Sequence, residues 1–529
     1  MKIALLIASL SCGAAAQMFP IAGVVVDAGN GAPMQRVHVT LTPYGRASDQ
    51  RAIITGADGR FSLEVPKGKF VLTSEYRGFR QPFGQRGPGI GFNVAIFTGP
   101  DQDTSNLTFR WFAPGAISGK VIDDRGESVE DALVQLIRVS VVAGRKSRGT
   151  VAWARTNDLG EYRFGQRAGG TYYVAVTGEP WYTARSQSFR LPGQPADDAA
   201  REPARSYAPV YYPNASDPNS AQPLELAAGA EVTADFRLAT VTGVDLHVRC
   251  QHPAGKSALI SLLSDGAAGV DAYQRQVWVF GDDQTIAGVL PGHYTLSVDG
   301  KNGYEASARK EIDIGQSDLS VELSMAPPPS VSGNVVFKDP ARKPRRAAYV
   351  RLVAESNGTA IARSLDSTGV FSFENVPPGR RRVQMSGADG FFAAQITVEG
   401  ATLDGPVIDV AAGATIQLNI VASDEIGTLK GFVMDGDKPA AGVLAVLAPK
   451  IDSKDPGDYR GFQTDSDGSF DYQNVRAGEY ILFAVERVDL EYANPAAVRP
   501  YLSSGKIVQI SAHATVAENA ALTAPIQRE

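Results

Sequence analysis

The sequence has 529 residues, a length that suits roughly three to five folding units rather than one core. Its 54 glycines and 32 prolines indicate many turns, while 43% hydrophobic and 20% charged residues exclude a largely disordered chain. With 51 Lys and Arg against 57 Asp and Glu, the net charge of −6 disfavours a nucleic-acid partner, because affinity for a phosphate backbone comes mainly from clustered cations.

The N-terminal segment has the three parts of a secretory signal peptide. Lys2 precedes an apolar run that ends at Leu10, and small residues up to Ala16 follow. We expect cleavage after Ala16 and export to the periplasm, the outer membrane or the medium. The alternative is lipid modification at Cys12, although such motifs prefer Leu three residues earlier, where this chain has Ser9. No later run approaches the roughly 18 apolar residues of a membrane-spanning helix.

Cleavage leaves one cysteine, Cys250, so the mature chain forms no internal disulfide. Cys250 ends the segment Val244–Cys250, in which apolar and polar residues alternate as on a strand with one buried face. A free cysteine in an apolar row usually packs as a small hydrophobic residue. We therefore predict a core position for Cys250 rather than a reactive thiol or a metal ligand.

A repeat of roughly one hundred residues organises the rest of the chain. Its first element is a strand with a central glycine, found five times: Gly23, Gly119, Gly243, Gly333 and Gly431. Its second element is a turn followed by an aromatic residue, found four times: Phe61, Tyr162, Phe371 and Phe470. Its third element is a glycine-containing turn before another strand, found five times: residues 65–70, 168–172, 290–294, 376–380 and 475–480. The third copy lacks the second element.

These elements predict an all-β protein. Asp-Gly between alternating runs is typical of a tight turn in which glycine supplies a positive φ, and the aromatic residue that follows then points inward. Clean alternation of apolar and polar residues is the antiparallel pattern. We predict a signal peptide at 1–16 and five tandem Ig-like or transthyretin-like antiparallel β-sandwiches at 17–113, 114–240, 241–327, 328–424 and 425–529. Short linkers between them predict a semi-rigid rod or arc.

The three repeated elements resemble those of the carboxypeptidase regulatory-like domain, a transthyretin-like sandwich often grouped with carbohydrate-binding-like folds. The resemblance covers copies 1, 2, 4 and 5 and is weaker in copy 3. It implies a fold and no peptidase chemistry by itself. Bacterial exported proteins with several such domains are similar to this chain in organisation.

Motifs for catalysis are not found in the sequence. The five histidines form no His-x-x-Glu or His-Glu-x-x-His segment, which argues against a zinc peptidase. No Gly-x-Ser-x-Gly elbow is present, and residues 115–120 have the wrong spacing for a phosphate-binding loop. Asp465, Asp467 and Asp471 are a candidate calcium site, but a turn already explains Asp467 and Gly468. We predict no catalytic residues, no metal and no cofactor.

The second copy carries an aromatic insertion at 179–226, in which we place the candidate ligand-binding residues. They are Trp181, Tyr182, Tyr207, Tyr211, Tyr212 and Arg190. Aromatic faces accept the C–H surfaces of sugars or the side chains of a partner, and arginine pairs with carboxylates. The alternative is that the insertion folds back over its own sandwich or the junction with copy 3, with its aromatic residues used for packing.

The sequence therefore predicts an exported, non-enzymatic, multidomain binding protein of the cell envelope. Polysaccharide is the first expected ligand, and an envelope protein is the other expected partner. One alternative is a structural spacer, scaffold or protein-interaction module without a small ligand. A second alternative is an accessory subunit of a peptidase or of an outer-membrane transport system.

Overall fold

The computed structural model describes residues 17–523 except 47, 86, 88–93, 185–204, 217–219, 251–256, 265–273, 280–281, 302–305, 343, 345–346, 356–357 and 388–389. The predicted signal peptide lies outside these residues. Strands dominate the fold, and they enclose five separate hydrophobic cores in chain order. We refer to the strands around each core as modules 1 to 5. No helix in the described ranges is both long and apolar enough to cross a membrane.

Module 1 contains eight strands in two facing sheets. They are β1 (Met18–Asp27), β2 (His38–Pro43), β3 (Arg51–Ile54), β4 (Arg60–Pro66), β5 (Gly68–Tyr76), β6 (Phe79–Pro82), β7 (Ala95–Thr98) and β8 (Leu107–Trp111). One sheet has the order β4-β1-β8, and the other has the order β3-β2-β5, with β6 and β7 both paired to β5.

Module 2 repeats this arrangement and includes the insertion. Its elements are β9 (Gly115–Asp123), β10 (Leu133–Val142), β11 (Arg145–Arg155), β12 (Glu161–Arg167), β13 (Gly170–Thr177), α1 (Trp181–Ala184), β14 (Arg205–Tyr207), β15 (Val210–Tyr211), β16 (Leu224–Leu226), β17 (Glu231–Thr233) and β18 (Phe236–Leu238). β12, β17 and β18 pair with β9; β11 and β13 pair with β10. The connecting strand β19 (Thr240–Thr242) pairs with β14.

Modules 3 and 4 are further two-sheet sandwiches. Module 3 contains β20 (Val244–Cys250), β21 (Ser257–Ser264), β22 (Gln274–Val279), β23 (Asp283–Val289), β24 (Gly292–Lys301), β25 (Ser307–Ile314) and β26 (Leu319–Leu323). Module 4 contains β27 (Ser330–Phe337), β28 (Tyr349–Ala354), β29 (Ala360–Ser364), β30 (Val370–Phe373), β31 (Gly379–Ser386), β32 (Phe392–Val398), β33 (Ala401–Thr402), β34 (Val407–Val410) and β35 (Thr415–Ser423). Cys250 is buried in the core of module 3, as predicted.

Module 5 differs because its two sheets are joined. It contains β36 (Ile426–Asp435), β37 (Lys438–Pro439), β38 (Leu444–Pro449), a 3-10 helix (Pro456–Asp458), β39 (Arg460–Gln463), β40 (Ser469–Arg476), β41 (Gly478–Val485), α2 (Pro495–Leu502), β42 (Lys506–Ile510), β43 (Thr515–Ala517) and β44 (Ala520–Thr523). β44 pairs with β36 of one sheet and with β41 of the other. The helix α2 covers a second apolar cluster on the outer face of β38 and β41.

The strand that opens each module explains the repeat. It pairs antiparallel with the strand after the tight turn and parallel with the last strand of its module, as β1 does with β4 and β8. The same pairing recurs at β9, β20, β27 and β36. The all-β sandwich prediction is confirmed, with the difference that each opening strand also pairs in parallel, with one strand at β1, β20 and β27 and with two strands at β9 and β36.

The glycine of each opening strand is required by a close backbone approach. A Cβ atom at Gly23, Gly333 or Gly431 would overlap the carbonyl oxygen of Leu107, Leu418 or Glu518 on or beside the closing strands. In four modules the repeat aromatic lies directly opposite the glycine in the ladder: Gly23 with Phe61, Gly119 with Tyr162, Gly333 with Phe371 and Gly431 with Phe470. Its ring covers the space that a side chain would fill.

Module 3 shows why one copy lacks the aromatic residue. Gly243 meets the backbone of Gly288 on β23 rather than that of the closing strand. The β20–β23 ladder has a register shift, and Ile286 lies opposite Leu246. Ile286 is buried in the core of module 3, although it does not lie opposite the repeat glycine.

Candidate functional site

Two of the predicted ligand-binding residues lie on the surface. Trp181 and Tyr182 form the exposed helix α1, with exposed fractions of 70% and 44%. Their rings make an edge-to-face contact with centroids 5.7 Å apart. An exposed aromatic pair of this kind is a surface on which a sugar ring or an apolar side chain can pack.

The other predicted residues are placed differently. Tyr207 and Tyr211 are 4% and 5% exposed and lie in apolar clusters of module 2, and burial raises the pKa of Tyr207 to about 12. Tyr212 is half-buried and packs edge to face against Phe236, with ring centroids 6.4 Å apart. Arg190 lies outside the described residues. The structure therefore places Tyr207, Tyr211 and Tyr212 in packing positions rather than beside Trp181 on the surface.

The insertion covers its own sandwich and the junction with module 3. Tyr211 lies with Ile137 and Ala175 on the outer face of the β10–β13 sheet. The strand β14 pairs with the connecting strand β19. Glu179 forms an ion pair with Arg275 of module 3, with 3.2 Å between the charged atoms. These contacts support the packing interpretation for residues 205–216 and 220–226, the described part of the insertion after α1.

The candidate calcium ligands do not converge. The Asp465 side chain contacts Lys69, whereas the Asp467 carboxylate accepts hydrogen bonds from Ser469. Asp471 pairs with Lys430 at 3.2 Å. Over the residues that the structure covers, no group of three or more His, Cys, Asp or Glu side chains has an arrangement suited to a metal ion.

The most specific arrangement of charges joins the first and last modules. Lys69 on β5 places its Nζ atom 2.7 Å from Oδ2 of Asp465, and the two side chains are 21% and 4% exposed. The ammonium group lies 4.7 Å from the ring centroid of Tyr44, 5.1 Å from that of Phe97 and 5.7 Å from that of Phe462. Cations over aromatic faces gain further attraction when they are shielded from water.

Backbone hydrogen bonds extend this contact along β7. Ala95 N donates to Oδ1 of Asp465 at 3.1 Å, and Ser466 N donates to the Ala95 carbonyl oxygen at 3.0 Å. Phe97 N donates to the Ser466 hydroxyl at 3.3 Å. The turn of module 5 thus satisfies polar groups on the outer edge of β7. We call these contacts between Lys69 or β7 and residues 463–466 the latch.

Burial controls the electrostatics of the latch. Removal from water raises the pKa of the Asp465 carboxyl, and the hydrogen bond and charge of Lys69 oppose that rise. Lys69 therefore stabilises the charged form of this buried carboxyl. Uncompensated, a buried charge would strongly destabilise this interface.

A second contact holds module 5 against module 2. The tip of the β10–β11 hairpin reaches the loop before α2, where Ala493 N donates to the Gly144 carbonyl oxygen at 2.9 Å. Gly144 has a φ of 74°, and a side chain there would meet the ring of Tyr492 at 2.5 Å. Together with the latch, this contact closes the five modules on themselves rather than extending them as a rod.

A cleft of about 610 Å³ lies between modules 4 and 5. Arg476 crosses it, pairing with Asp455 at 2.9 Å and with Asp458 at 2.7 Å, and its guanidinium lies 4.6 Å from the ring centroid of Phe392 in module 4. Burial raises the pKa of Asp458, an effect that Arg476 opposes. Both ion pairs lie within module 5, and Arg476 contacts module 4 through the ring of Phe392, so the cleft is a charged joint between the two modules.

Sequence reasoning missed the latch because its residues follow the repeat. Asp465 follows the threonine of the repeat turn, a position that Asn157 holds in module 2. The Asn157 side chain caps its own turn by accepting hydrogen bonds from Leu159 N and Glu161 N. Thr464 itself bridges Val443 N and the Ala440 carbonyl oxygen, as Thr156 does in module 2. Only the packing of distant modules distinguishes the role of Asp465 from that of Asn157.

Comparison with known proteins identifies one family. Residues 20–85 match the family model of the carboxypeptidase regulatory-like domain, which confirms the resemblance seen in the repeat. The match covers module 1, and the likeness of the other modules to it rests on their repeat elements and strand pairing. Among curated proteins, no match was found.

Solved structures give distant likenesses. The Bacillus anthracis TIE protein is 10% identical, with a TM-score of 0.17, over 79% of this chain and 75% of that chain. The minor pilin GBS52 of Streptococcus agalactiae is 12% identical, with a TM-score of 0.22, over 42% of this chain and 96% of that chain. The major pilin subunit BcpA of Bacillus cereus is 14% identical, with a TM-score of 0.14, over 58% of this chain and 99% of that chain. Such low scores carry no conclusion about function.

Proposed function

We propose that this protein is an exported, non-catalytic scaffold of the cell envelope that holds five β-sandwich modules in a fixed, closed arrangement. The observation that carries the proposal is the latch, in which Lys69 and Asp465 form a shielded ion pair between the first and last modules. A buried pair with several supporting hydrogen bonds fixes geometry more than it adds stability. Fixed geometry is what a scaffold needs and what a flexible string of binding domains lacks.

The charged joint between modules 4 and 5 supports the same function. Lys338 of module 4 pairs with Glu425 at 2.7 Å, and Lys454 of module 5 pairs with Asp404 of module 4, so the junction is held at two places. We propose module boundaries at 17–113, 114–240, 241–327, 328–424 and 425–529. Small-angle X-ray scattering of the mature protein tests the scaffold, because a closed arrangement has a much smaller radius of gyration than a rod. A rod-like scattering profile would contradict the proposal.

Export predicts a defined mature N-terminus. When the full chain is produced in a Gram-negative host, we expect the protein in the envelope fraction or the medium to begin at Gln17, because cleavage follows Ala16. Intact-mass spectrometry of the purified protein measures this. Cys12→Ala is the control variant and should leave the mature mass unchanged. A mature chain that starts at Cys12 with added lipid mass would show that the lipid-anchor alternative is correct.

A second candidate function is carbohydrate binding, which the exposed Trp181 and Tyr182 pair favours. Trp181 is 70% exposed, and its ring makes an edge-to-face contact with that of Tyr182. An aromatic ring held in place at the surface loses little conformational entropy when a sugar ring packs on it. This site contains two of the six residues that the sequence indicated, so it suits a single sugar contact rather than a deep pocket.

Replacing Trp181 tests this candidate. If an insoluble or gel-embedded polysaccharide retains the parent protein, Trp181→Ala should weaken retention about tenfold, the effect of losing a central aromatic contact. Trp153→Ala is the matched control, since Trp153 is 52% exposed but lies on β11, away from α1. Affinity electrophoresis compares the three proteins. Equal retention of parent and Trp181→Ala, or no retention of the parent, would exclude a sugar site at α1.

A further inference from the structure

The latch joins two different surfaces that lie near opposite ends of the chain. One surface is the outer edge of β7 with Lys69, and the other is the turn at residues 463–466. Gln463 adds a hydrogen bond to the Gly84 carbonyl oxygen, 3.3 Å away. An interface between two unlike surfaces is heterologous. Each copy of the chain carries both surfaces, so either one can bind the complementary surface of another copy.

Module 1 is attached in a way that allows it to swing. The connection from β8 to β9 consists of residues 112–114, and its two ends are held by different modules. Phe112 N donates to Oε1 of Gln81 in module 1 at 3.1 Å, whereas the Ala113 carbonyl oxygen accepts from Gly229 N of module 2 at 2.8 Å. Rotation between these two anchored residues would move module 1 as a rigid body. Short connections of this kind favour exchange of a domain between copies.

The latch joins modules 1 and 5 without merging their hydrophobic cores. The cores of modules 1 and 5 are separate clusters, and the latch itself consists of hydrogen bonds, one ion pair and the rings around Lys69. Such an interface depends on its polar pairs being remade rather than on hydrophobic burial. Module 5 would stay in place, because its ion pairs with module 4, Lys338 with Glu425 and Lys454 with Asp404, do not involve module 1.

An open molecule would also carry unpaired backbone groups. In the closed form the outer edge of β7 donates from Ala95 N and Phe97 N and accepts at the Ala95 carbonyl oxygen. Unpaired groups on a strand edge promote pairing with another chain. The partner with the correct complement is the turn at residues 463–466 of a second copy.

We propose that module 1 of one copy docks onto module 5 of a second copy through the same latch contacts, linking copies head to tail. The inference rests on the proposed scaffold function, since it assigns a second copy of this chain as the partner of the scaffold. A tethered partner has an effective concentration of about 1 mM, so the closed single chain dominates in dilute solution. Linked copies become populated when the chain is crowded to that concentration, as on an envelope surface.

Cysteine coupling across the latch tests the exchange. Tyr44 of module 1 and Phe462 of module 5 both contact Lys69 Nζ, with ring centroids 4.7 Å and 5.7 Å away, so Tyr44→Cys and Phe462→Cys place thiols within reach of a short bismaleimide. One sample is the doubly substituted chain, and the other is an equal mixture of the two singly substituted chains at about 1 mM. Only contact between copies can couple the chains of the mixture.

Each outcome is decisive. We expect intrachain coupling in the doubly substituted chain and a covalent dimer in the mixture, seen on a denaturing gel. Intrachain coupling without a dimer would overturn the exchange and leave the scaffold intact. Coupling in neither sample would overturn the closed arrangement as well. The parent chain, whose Cys250 is buried, is the control for stray coupling.

A second measurement avoids dependence on the substituted chains. Light scattering of the unmodified mature protein should show its average mass rising from one chain toward two or more as the concentration approaches about 1 mM. Lys69→Met should abolish that rise, because it removes the ion pair from both the closed and the exchanged form. A constant single-chain mass for the parent would overturn the exchange.

Discussion

Gly431→Ala should destabilise module 5 by about 3 kcal/mol or more, because the new methyl group would overlap the carbonyl oxygen of Glu518. A backbone carbonyl cannot move aside by changing rotamer, and the ring of Phe470 closes the other direction at 2.9 Å. The opening strand β36 would have to move away from the closing strands of module 5. Hydrogen exchange of the β36 amides measures the loss, since modules of one chain need not unfold together.

Gly149→Ala is the matched control for this prediction. Gly149 also lies within a strand, β11, but an added methyl group there would meet no atom within 4 Å. Its effect on stability should stay within about 0.5 kcal/mol. If Gly431→Ala and Gly149→Ala were equally mild, the close approach of the parallel strands would not be the reason for the repeat glycine.

Lys69→Met should open the molecule. The change leaves the Asp465 carboxylate 4% exposed without its counter-ion, which costs about 3 kcal/mol, at the lower end of values for removing one partner of a buried pair. The equilibrium between closed and open forms would shift about a hundredfold toward the open form. Small-angle scattering should record a larger radius of gyration, with each module still folded.

Asp465→Asn distinguishes buried charge from general loss of contact. The amide removes the buried charge, keeps an oxygen that can accept from Ala95 N, and leaves Lys69 among its three aromatic rings. We expect less opening than in Lys69→Met. Greater opening in Asp465→Asn would mean that the cation, rather than the carboxylate, is the group that the latch must neutralise.

The latch should tighten on mild acidification. Burial in the closed form raises the pKa of Asp465 above its ordinary value near 4, and we expect opening to return it toward that value. The Asp465 carboxyl then binds a proton more tightly in the closed form than in the open form. Closure is therefore favoured below the ordinary pKa, and it weakens as the pH rises through the raised pKa of the closed form. Lys69→Met should show this most clearly, with open molecules at pH 7 that close again near pH 4. A radius of gyration that does not change with pH in Lys69→Met would contradict this assignment.

Much of the fold was predictable from local spacing. Tight turns, repeat glycines and alternating strands are short-range features, and they specified five all-β units and the core position of Cys250. The parallel pairing of the closing strand was not predictable, because the two strands are separated by most of a module. Gly23 is required because the carbonyl group of Leu107 lies against it. That contact exists only when the closing strand β8 is paired with β1.

The candidate sites show the same division. The sequence marked an aromatic-rich insertion, but its five aromatic candidates look alike in sequence, and only packing separates exposed Trp181 from buried Tyr207 and Tyr211. The latch gave no sequence signal, since Lys69 and Asp465 each suit the turn or strand in which they stand. The sequence by itself determined the modules, because turn chemistry and strand alternation act over a few residues. Tertiary structure alone decided how they close, because that depends on charges and backbone edges brought together from opposite ends of the chain.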